Sequence, residues 1–497
     1  MIPHADVTPN TWAFLRDPMI KPTGFREYDA RWKYPEEINL PGITALGLGL
    51  GTQMHRRGID PVIAVGNDYR DYSLAIKNAL ILGLMQAGIE VRDIGPALSP
   101  MAYFAQFHLD VPAVAMVTAS HNPNGWTGVK MGFDRPLTHG PDEMAELRDI
   151  VLSGSAEPRS GGGYQFVDGV KEAYLDDLVG DFKMSRKLRV VCATGNGTAS
   201  AFAPELFERL GVEVIASHNE LDYTFPAYNP NPEAMEMLHD MADSVKATGA
   251  DFALGFDGDG DRCGVVDNEG EEIFADKMGV IMARDLSKLH PGATFVADVK
   301  STGLFAADPE LKRHGVKADY WKTGHSHMKR RVKELGALAG FEKSGHYFLA
   351  EPVGKGYDCG MRVAVEICKL MDRNAELSMA DLRRALPVTY STPTMSPYCA
   401  DTEKYEVLAR LVEKLTAKHE AGESFADREI ADVVTVNGAR VILDNGSWGL
   451  VRASSNTPNL VVVCESATSE DEMRAIFAEI DTVIRTEPSV GEYDQKV

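Results

Sequence analysis

From Ile43 to about Gly279 the chain alternates short apolar runs ending in Gly, Asn or Asp with longer helix-like segments, and this rhythm points to layered α/β folding. Val62–Gly66 and Val114–Thr118 are strand candidates in a first unit, and a small, polar linker from Ser153 to Gly163 closes it. A second unit carries strands at Leu188–Cys192, Val212–Ala216 and Asp251–Phe256, with a helical stretch at Ser200–Leu210. A third begins near Pro291, has strands at Thr294–Val299 and Lys317–Trp321, and runs to about Asp372. The C-terminal part changes character: Val433–Val436, Ala439–Leu443, Trp448–Arg452 and Asn459–Cys464 read as a strand meander turning at Asn437-Gly438 and Asn445-Gly446. A helix follows, with Ser469 and Glu472 as a capping box and Met473, Ile476, Phe477, Ile480, Val483 and Ile484 as one apolar stripe. Past Arg485 the polar sequence is expected to fray. At 497 residues the chain exceeds one hydrophobic core, and the expected divisions are 1–163, 164–290, 291–390 and 391–497.

Charge narrows the possible partners. Lys and Arg number 51 against 73 Asp and Glu, a net charge of −22 that repels phosphate backbones and anionic lipid, so neither nucleic acid nor a membrane surface is an expected partner. A small anionic substrate fits only if Arg and Lys gather in one cleft. Hydrophobic residues at 44% and charged residues at 25% are ordinary for folded soluble chains and exclude disorder and coiled coil. The six cysteines form no Cys-x-x-Cys pair, no run approaches 18 apolar residues, and Met1 to Phe14 lacks a basic segment followed by an apolar one. A cytoplasmic protein with reduced thiols is the expectation.

Four segments carry chemistry. In Phe256-Asp257-Gly258-Asp259-Gly260-Asp261-Arg262, three carboxylates at alternate positions follow a buried-looking strand; like charges so close repel unless a cation compensates them, and hard divalent ions want such oxygens. An EF-hand is excluded, since its sixth position would be Arg262 and its twelfth Asn268. Val117-Thr118-Ala119-Ser120-His121-Asn122-Pro123 puts a hydroxyl at the tip of a strand, with Lys130 ten residues on; on spacing alone it reads equally as an exposed nucleophile or an Asn-Pro turn. Glu342, Ser344 and His346 alternate along a segment expected to be extended, which would aim all three at sugar hydroxyls; with a second His they could also form a zinc site, but no zinc motif supports that. Lys322 and His325 precede it, and Lys329 to Lys333 reads as the solvated side of a helix. Arg452-Ala453-Ser454-Ser455-Asn456-Thr457-Pro458 has the inventory to hold a phosphate dianion, although a polar hairpin loop accounts for it as well. Neither Gly47-Leu-Gly49-Leu-Gly51, inside a helix-like stretch, nor Gly195-Asn-Gly197 makes a dinucleotide fingerprint.

Taken in order, these segments resemble the α-D-phosphohexomutases, in particular the bacterial phosphomannomutase/phosphoglucomutase branch, from Phe25-Arg26-Glu27-Tyr28-Asp29 through Asn456. The resemblance implies three related α/β domains plus a C-terminal α+β domain like the TATA-box-binding protein. It further implies that Ser120 carries a phosphoryl group and that Asp257, Asp259 and Asp261 hold Mg²⁺ beside it, with Ser120 a further ligand. Glu342, Ser344 and His346 would grip the sugar, and Arg452, Ser454, Ser455 and Asn456 the phosphate that does not react. Tyr28, Arg31, His121, Asn122, Lys130, Arg262, Lys300, Lys322 and His325 are the remaining implied site positions, with Lys130 and His325 the proton-transfer candidates. The implied substrates are hexose phosphates of mannose or glucose, with glucose 1,6-bisphosphate or its analogue as activator, and monomer and dimer are both compatible. A phosphoglucosamine mutase and a non-catalytic phosphosugar-binding relative are the alternatives. The sequence departs from the family pattern at Trp32, Phe341, Lys343 and Ser455-Asn456.

Overall fold

The computed structural model describes residues 11–454 and 457–495, and the chain divides into two compact units, residues 1–275 with 344–381 and residues 276–343 with 382–497. Among the described residues no helix is long and apolar enough to cross a membrane.

The first unit contains two sheets. One is built from β1 (Ala30–Lys33), β2 (Val62–Asn67), β3 (Glu90–Pro96), β4 (Ala113–Val117), β5 (Trp126–Gly132) and β6 (Gly163–Phe166), in the order β1-β5-β4-β2-β3-β6. β2 pairs in parallel with β3 and β4, while β5 returns antiparallel to β4. The Ala-Val-Ala-Met-Val run of β4 is buried throughout, as expected of a strand covered on both faces. Helices Leu40–Arg56, Ser73–Gln86 and Ser99–His108 supply that cover, and the first contains the Gly47-Leu-Gly49-Leu-Gly51 stretch, whose glycines let neighbouring helices approach closely. The second sheet joins β7 (Arg189–Ala193), β8 (Glu213–Ser217), β9 (Phe252–Phe256), β10 (Cys263–Asp267) and β11 (Glu272–Ile273) in the order β11-β10-β9-β7-β8. The helix expected at Ser200–Leu210 is instead a 3₁₀ turn, Thr198–Ala201, followed by an α-helix from Ala203, with Pro204 in its first turn.

In the second unit β12 (Thr294–Asp298) lies between β13 (Lys317–Trp321) and β14 (Ala339–Phe341), parallel to both. An antiparallel sheet follows, in the order Tyr390–Ser391, Leu460–Ser466, Trp448–Ala453, Ala439–Leu443, Arg428–Val434, Ser424–Phe425. Helices Lys404–Glu420 and Glu470–Ile484 pack on one of its faces, the latter through the expected stripe. The meander is correct, but its first strand spans Arg428–Val434 in place of Val433–Val436, because Asn437 and Gly438 need the two residues before them for the turn. Only half the capping box forms: Ser469 accepts from the Glu472 amide (3.1 Å), while the Glu472 carboxylate accepts from Ser447 and Thr468. The described tail, as far as residue 495, does not fray. Val490 is buried, Tyr493 packs edge-on to Phe477 (5.3 Å), and the Gly491 amide donates to Tyr398 O (2.8 Å). The Lys329 to Lys333 stretch is only partly the solvated side of a helix: Lys333 is exposed, but Lys329 is fully buried near His325, and Arg331, partly buried, pairs with Asp319 (2.9 Å) over the Trp321 ring.

Candidate active site

In each α/β sheet the first parallel strand is central, the second lies on one side and the third on the other: β4-β2-β3, β9-β7-β8 and β14-β12-β13. Crossovers part at the carboxyl ends of the first and third strands in such an order, and the crevice left there is where open α/β sheets place their ligand groups. All three motif segments begin there. β4 ends at Val117, before the serine segment; β9 ends at Phe256, before the aspartate loop; β14 ends at Phe341, before Glu342.

Ser120 adopts φ 54°, a left-handed conformation that costs a non-glycine residue about 1–3 kcal/mol unless its surroundings hold it. Its amide donates to Thr118 Oγ1 (2.9 Å), and its own hydroxyl, almost fully buried, donates to Asp257 Oδ2 (3.3 Å) and lies 3.3 Å from His121 Nδ1. Burial, then the charges of Arg262 and Arg31, push the His121 imidazole well below its ordinary pKa and keep it neutral. Arg31, on β1, donates to Asp29 (2.8 Å) and to Ala119 O (3.1 Å). Tyr28 lies half-buried in the bend before β1, and the Asn122 amide closes the serine turn on Ala119 O (3.0 Å).

Asp257, Asp259 and Asp261 are fully buried, and one ligand atom from each lies within 4.8 Å of the others. Asp259 Oδ2 accepts from Ser99 (2.6 Å), Thr118 (3.2 Å) and Lys130 (2.7 Å), and Lys130 also pairs with Asp261. Burial opposes ionisation at Asp257 and Asp259. Burial and the charges of Asp261 and Asp259 raise the Asp257 pKa well above the carboxylate range, whereas Lys130 overcomes burial at Asp259 and holds it ionised. At Lys130 burial works against the ammonium, but the two carboxylates outweigh it and raise its pKa. Asp259 Oδ1 and Asp261 Oδ1 are buried and accept no hydrogen bond. Four clustered oxygen donors with two orphaned carboxylate oxygens fit a hard divalent cation.

Arg262 closes the loop. Its amide donates to Asp257 Oδ1 (3.2 Å), Nε to His346 Nε2 (3.0 Å) and Nη1 to Glu233 (2.7 Å). His346 Nδ1 in turn lies 3.1 Å from buried Asp358 and 3.6 Å from Asp261. Glu342, Ser344 and His346 do not alternate along an extended segment as expected. The chain turns at Lys343 to Gly345, where Gly345 takes φ 94°, so Glu342 ends up in the second unit and Ser344 and His346 in the first.

Within the second unit, Glu342 is buried and accepts from the Gly324 amide (3.0 Å), just before the helix His325–Leu335 whose first residue is the buried His325. Lys300 follows β12 between Val299 and Ser301, and both of those carbonyls accept from Arg440 Nη1 (2.7 Å each); Lys322, half-buried, follows β13. Arg452 and Ser454 are buried at the end of the strand Trp448–Ala453; Ser455 and Asn456 lie outside the described residues. Lys404, which the sequence did not single out, spans their loop by donating to Ser454 O (2.6 Å) and Thr457 O (3.0 Å). Also missed were Asp68, Arg70, Glu233 and Asp358; only the position of Asn67-Asp68-Tyr69-Arg70, just past a strand, could have signalled the first two.

Four consecutive family models match this chain: phosphoglucomutase/phosphomannomutase α/β/α domain I over residues 22–157, domain II over 172–270, domain III over 274–390, and the C-terminal domain over 400–483. A phosphomannomutase/phosphoglucomutase of Pseudomonas putida is 35% identical over 94% of this chain and 96% of its own length. A phosphoglucomutase of Neisseria gonorrhoeae is 32% identical over 89% of this chain and 93% of its own. A crystal structure of a phosphoglucomutase/phosphomannomutase family protein from Burkholderia thailandensis superposes with TM-score 0.85 at 30% identity, covering 96% of this chain and all of that one. With the motif loops at equivalent strand ends and relatives this similar along nearly the whole length, the chain belongs to the phosphoglucomutase/phosphomannomutase family of α-D-phosphohexomutases and is a hexose phosphate mutase.

Proposed function

We propose that this mutase interconverts the 1-phosphate and 6-phosphate of mannose and glucose through a phosphorylated Ser120 and a hexose 1,6-bisphosphate. The observation that carries this reading is the Ser120 hydroxyl itself, held in a left-handed turn 3.3 Å from an aspartate of the three-carboxylate loop. In the first half-reaction the free sugar hydroxyl oxygen bonds to phosphorus as the bond from phosphorus to Ser120 Oγ breaks; the hydroxyl gives up its proton and Oγ takes one. In the second, the bisphosphate, turned end for end, returns its other phosphoryl group to Oγ. Covalent work by the protein is small, so alignment and charge stabilisation carry the rate.

Arg31 and Arg262 are assigned to the transferring phosphoryl group, and Lys130 and His325 to proton transfer. Tyr28, His121, Asn122, Lys300, Lys322, Glu342, Ser344 and His346 are assigned to the sugar phosphate, and Arg452, Ser454, Ser455 and Asn456 to its unreactive phosphate. Mg²⁺ held by Ser120, Asp257, Asp259 and Asp261 would supply positive charge against the transferring group. Glucose 1,6-bisphosphate, or the matching hexose bisphosphate, would recharge a serine that has lost its phosphoryl group.

Intact mass with peptide mapping, beside an assay coupling glucose 1-phosphate to glucose 6-phosphate, tests this directly. One phosphate is expected on Ser120, and turnover should vanish with EDTA and return with Mg²⁺. A Ser120→Ala protein turning over at the parental rate would sink the reading, and mannose 1-phosphate run in parallel decides the sugar.

A further inference from the structure

Four successive carbonyls of the serine turn each accept from a side chain. Ala119 O takes Arg31, Ser120 O takes Arg70 Nη2 (2.9 Å), His121 O takes Asn229, and Asn122 O takes Arg70 Nη2 again (2.7 Å). Arg70 is buried, and its charge is met by Asp68, which Nη1 contacts; Asp68 Oδ2 also receives the Ala119 amide (3.2 Å) and Oδ1 receives Ser73. The Phe225 ring covers the guanidinium (5.4 Å). Asp68 and Arg70 follow β2 and the serine turn follows β4, so the neighbouring strand end holds the turn at the Ala119 amide and at the Ser120 and Asn122 carbonyls.

The second unit uses the same device. Asp298, at the end of β12, accepts from Ser301, Thr323 and the amide of Lys343, which lies in the turn after β14. An aspartate at the carboxyl end of the first strand thus anchors the segment after the third in both places.

We propose that Asp68, Arg70 and Asn229 are positioning residues for phosphoryl transfer at Ser120, which rests on the phosphoserine reading above. None of the three needs to touch the sugar. They fix the turn so that Oγ faces Asp257, and the planar guanidinium is what lets one side chain reach Ser120 O, Asn122 O and Asp68 together. A lysine keeps the charge beside Asp68 but loses that fork.

The test uses the full-length protein as parent, Arg70→Lys and Asn229→Ala. Measured are kcat and KM for glucose 1-phosphate, the rate at which glucose 1,6-bisphosphate phosphorylates Ser120, and the thermal midpoint. Misplacing the nucleophile by about 1 Å should lower kcat and the phosphorylation rate of Arg70→Lys about 10²-fold, with KM within about twofold. Asn229→Ala, at a half-exposed position, should fold normally and lose several-fold in both rates. Parental kcat in folded Arg70→Lys, or a raised KM at unchanged kcat, overturns the assignment. If Arg70→Lys does not fold, Asn229→Ala decides alone, and parental rates in it overturn the cradle. A parent that never gains phosphate on Ser120 overturns the phosphoserine reading instead, a result distinct from slow variants beside a phosphorylated parent.

Discussion

Gly258 lies where no side chain fits: a Cβ there would sit 2.5 Å from Ser120 O. The aspartate loop and the serine turn therefore meet backbone to backbone, and this contact brings Asp257 within reach of the Ser120 hydroxyl. The alternating Asp-Gly pattern explains Gly260, whose φ of 72° suits a tight turn, on local grounds. Gly258 has no such conformational need, and its reason is a contact 138 positions away in the chain, from 120 to 258. Gly258→Ala is expected to cost about 1–3 kcal/mol through forced displacement and to lower kcat more than stability alone explains. Denaturant unfolding beside the coupled assay measures both, and parental values in each would contradict the close approach. Gly345 teaches the complementary lesson. Its left-handed φ breaks the alternation that would have aimed Glu342, Ser344 and His346 one way, and His346 spends one ring nitrogen on Arg262.

The strand Leu460–Ser466 is buried along its whole length although its sheet is antiparallel. Helices cover one face; on the other, Trp448, Leu450, Val461 and Val463 pack with Val299 and Tyr320 from the α/β part of the same unit. Two buried charges are set into that apolar contact. Arg440 lies 3.7 Å over the Trp448 ring and 4.1 Å over Tyr320 while donating to Val299 O and Ser301 O, and Glu465 accepts from Thr302, the Gly303 amide, Trp448 and Lys277. Apolar periodicity revealed the strands and the helix stripe because both faces obey one pattern, but a lone Arg in Ala439–Leu443 reads as solvent-facing until the partner surface is seen. Arg440→Met should destabilise this unit by about 2–4 kcal/mol, since it strands two carbonyls, and, with Lys300 proposed for the sugar phosphate, should raise the KM. A urea titration and the KM for glucose 1-phosphate check the two effects, and a variant as stable as the parent would contradict a stabilising role for the Arg440 hydrogen bonds.

At the scale of the molecule, a net charge of −22 coexists with Arg31, Lys130 and Arg262 collected around one serine in the first unit. Most of the negative surplus is solvated, but Glu465 is not. Burial works against its charge, yet Lys277 and the Gly303 amide bring its pKa down to about 2, from an ordinary 4.5. A depressed carboxylate pKa stabilises the fold fully above about 4.5, and that contribution drains away as pH falls toward 2. The shift corresponds to about 3 kcal/mol. Unfolding free energies of the parent should therefore fall between pH 4.5 and 3 more steeply than those of Glu465→Gln, and parallel curves would contradict the assignment. By itself the sequence determined the α/β alternation, several of its strands, the C-terminal meander, the four motifs and the serine and aspartates at their centre, because periodicity, turn residues and clustered charge act over a few neighbouring positions. Only the tertiary structure decided that Asp68, Arg70 and Asn229 hold the serine turn, that Lys404 ties Ser454 to Thr457, that Lys329 is buried and that the tail docks. Apart from Lys329, whose burial is set by how its helix packs, each of these depends on groups distant in the chain meeting within about 3 Å, and hydrogen bonding at that range is set by packing geometry that no local pattern encodes.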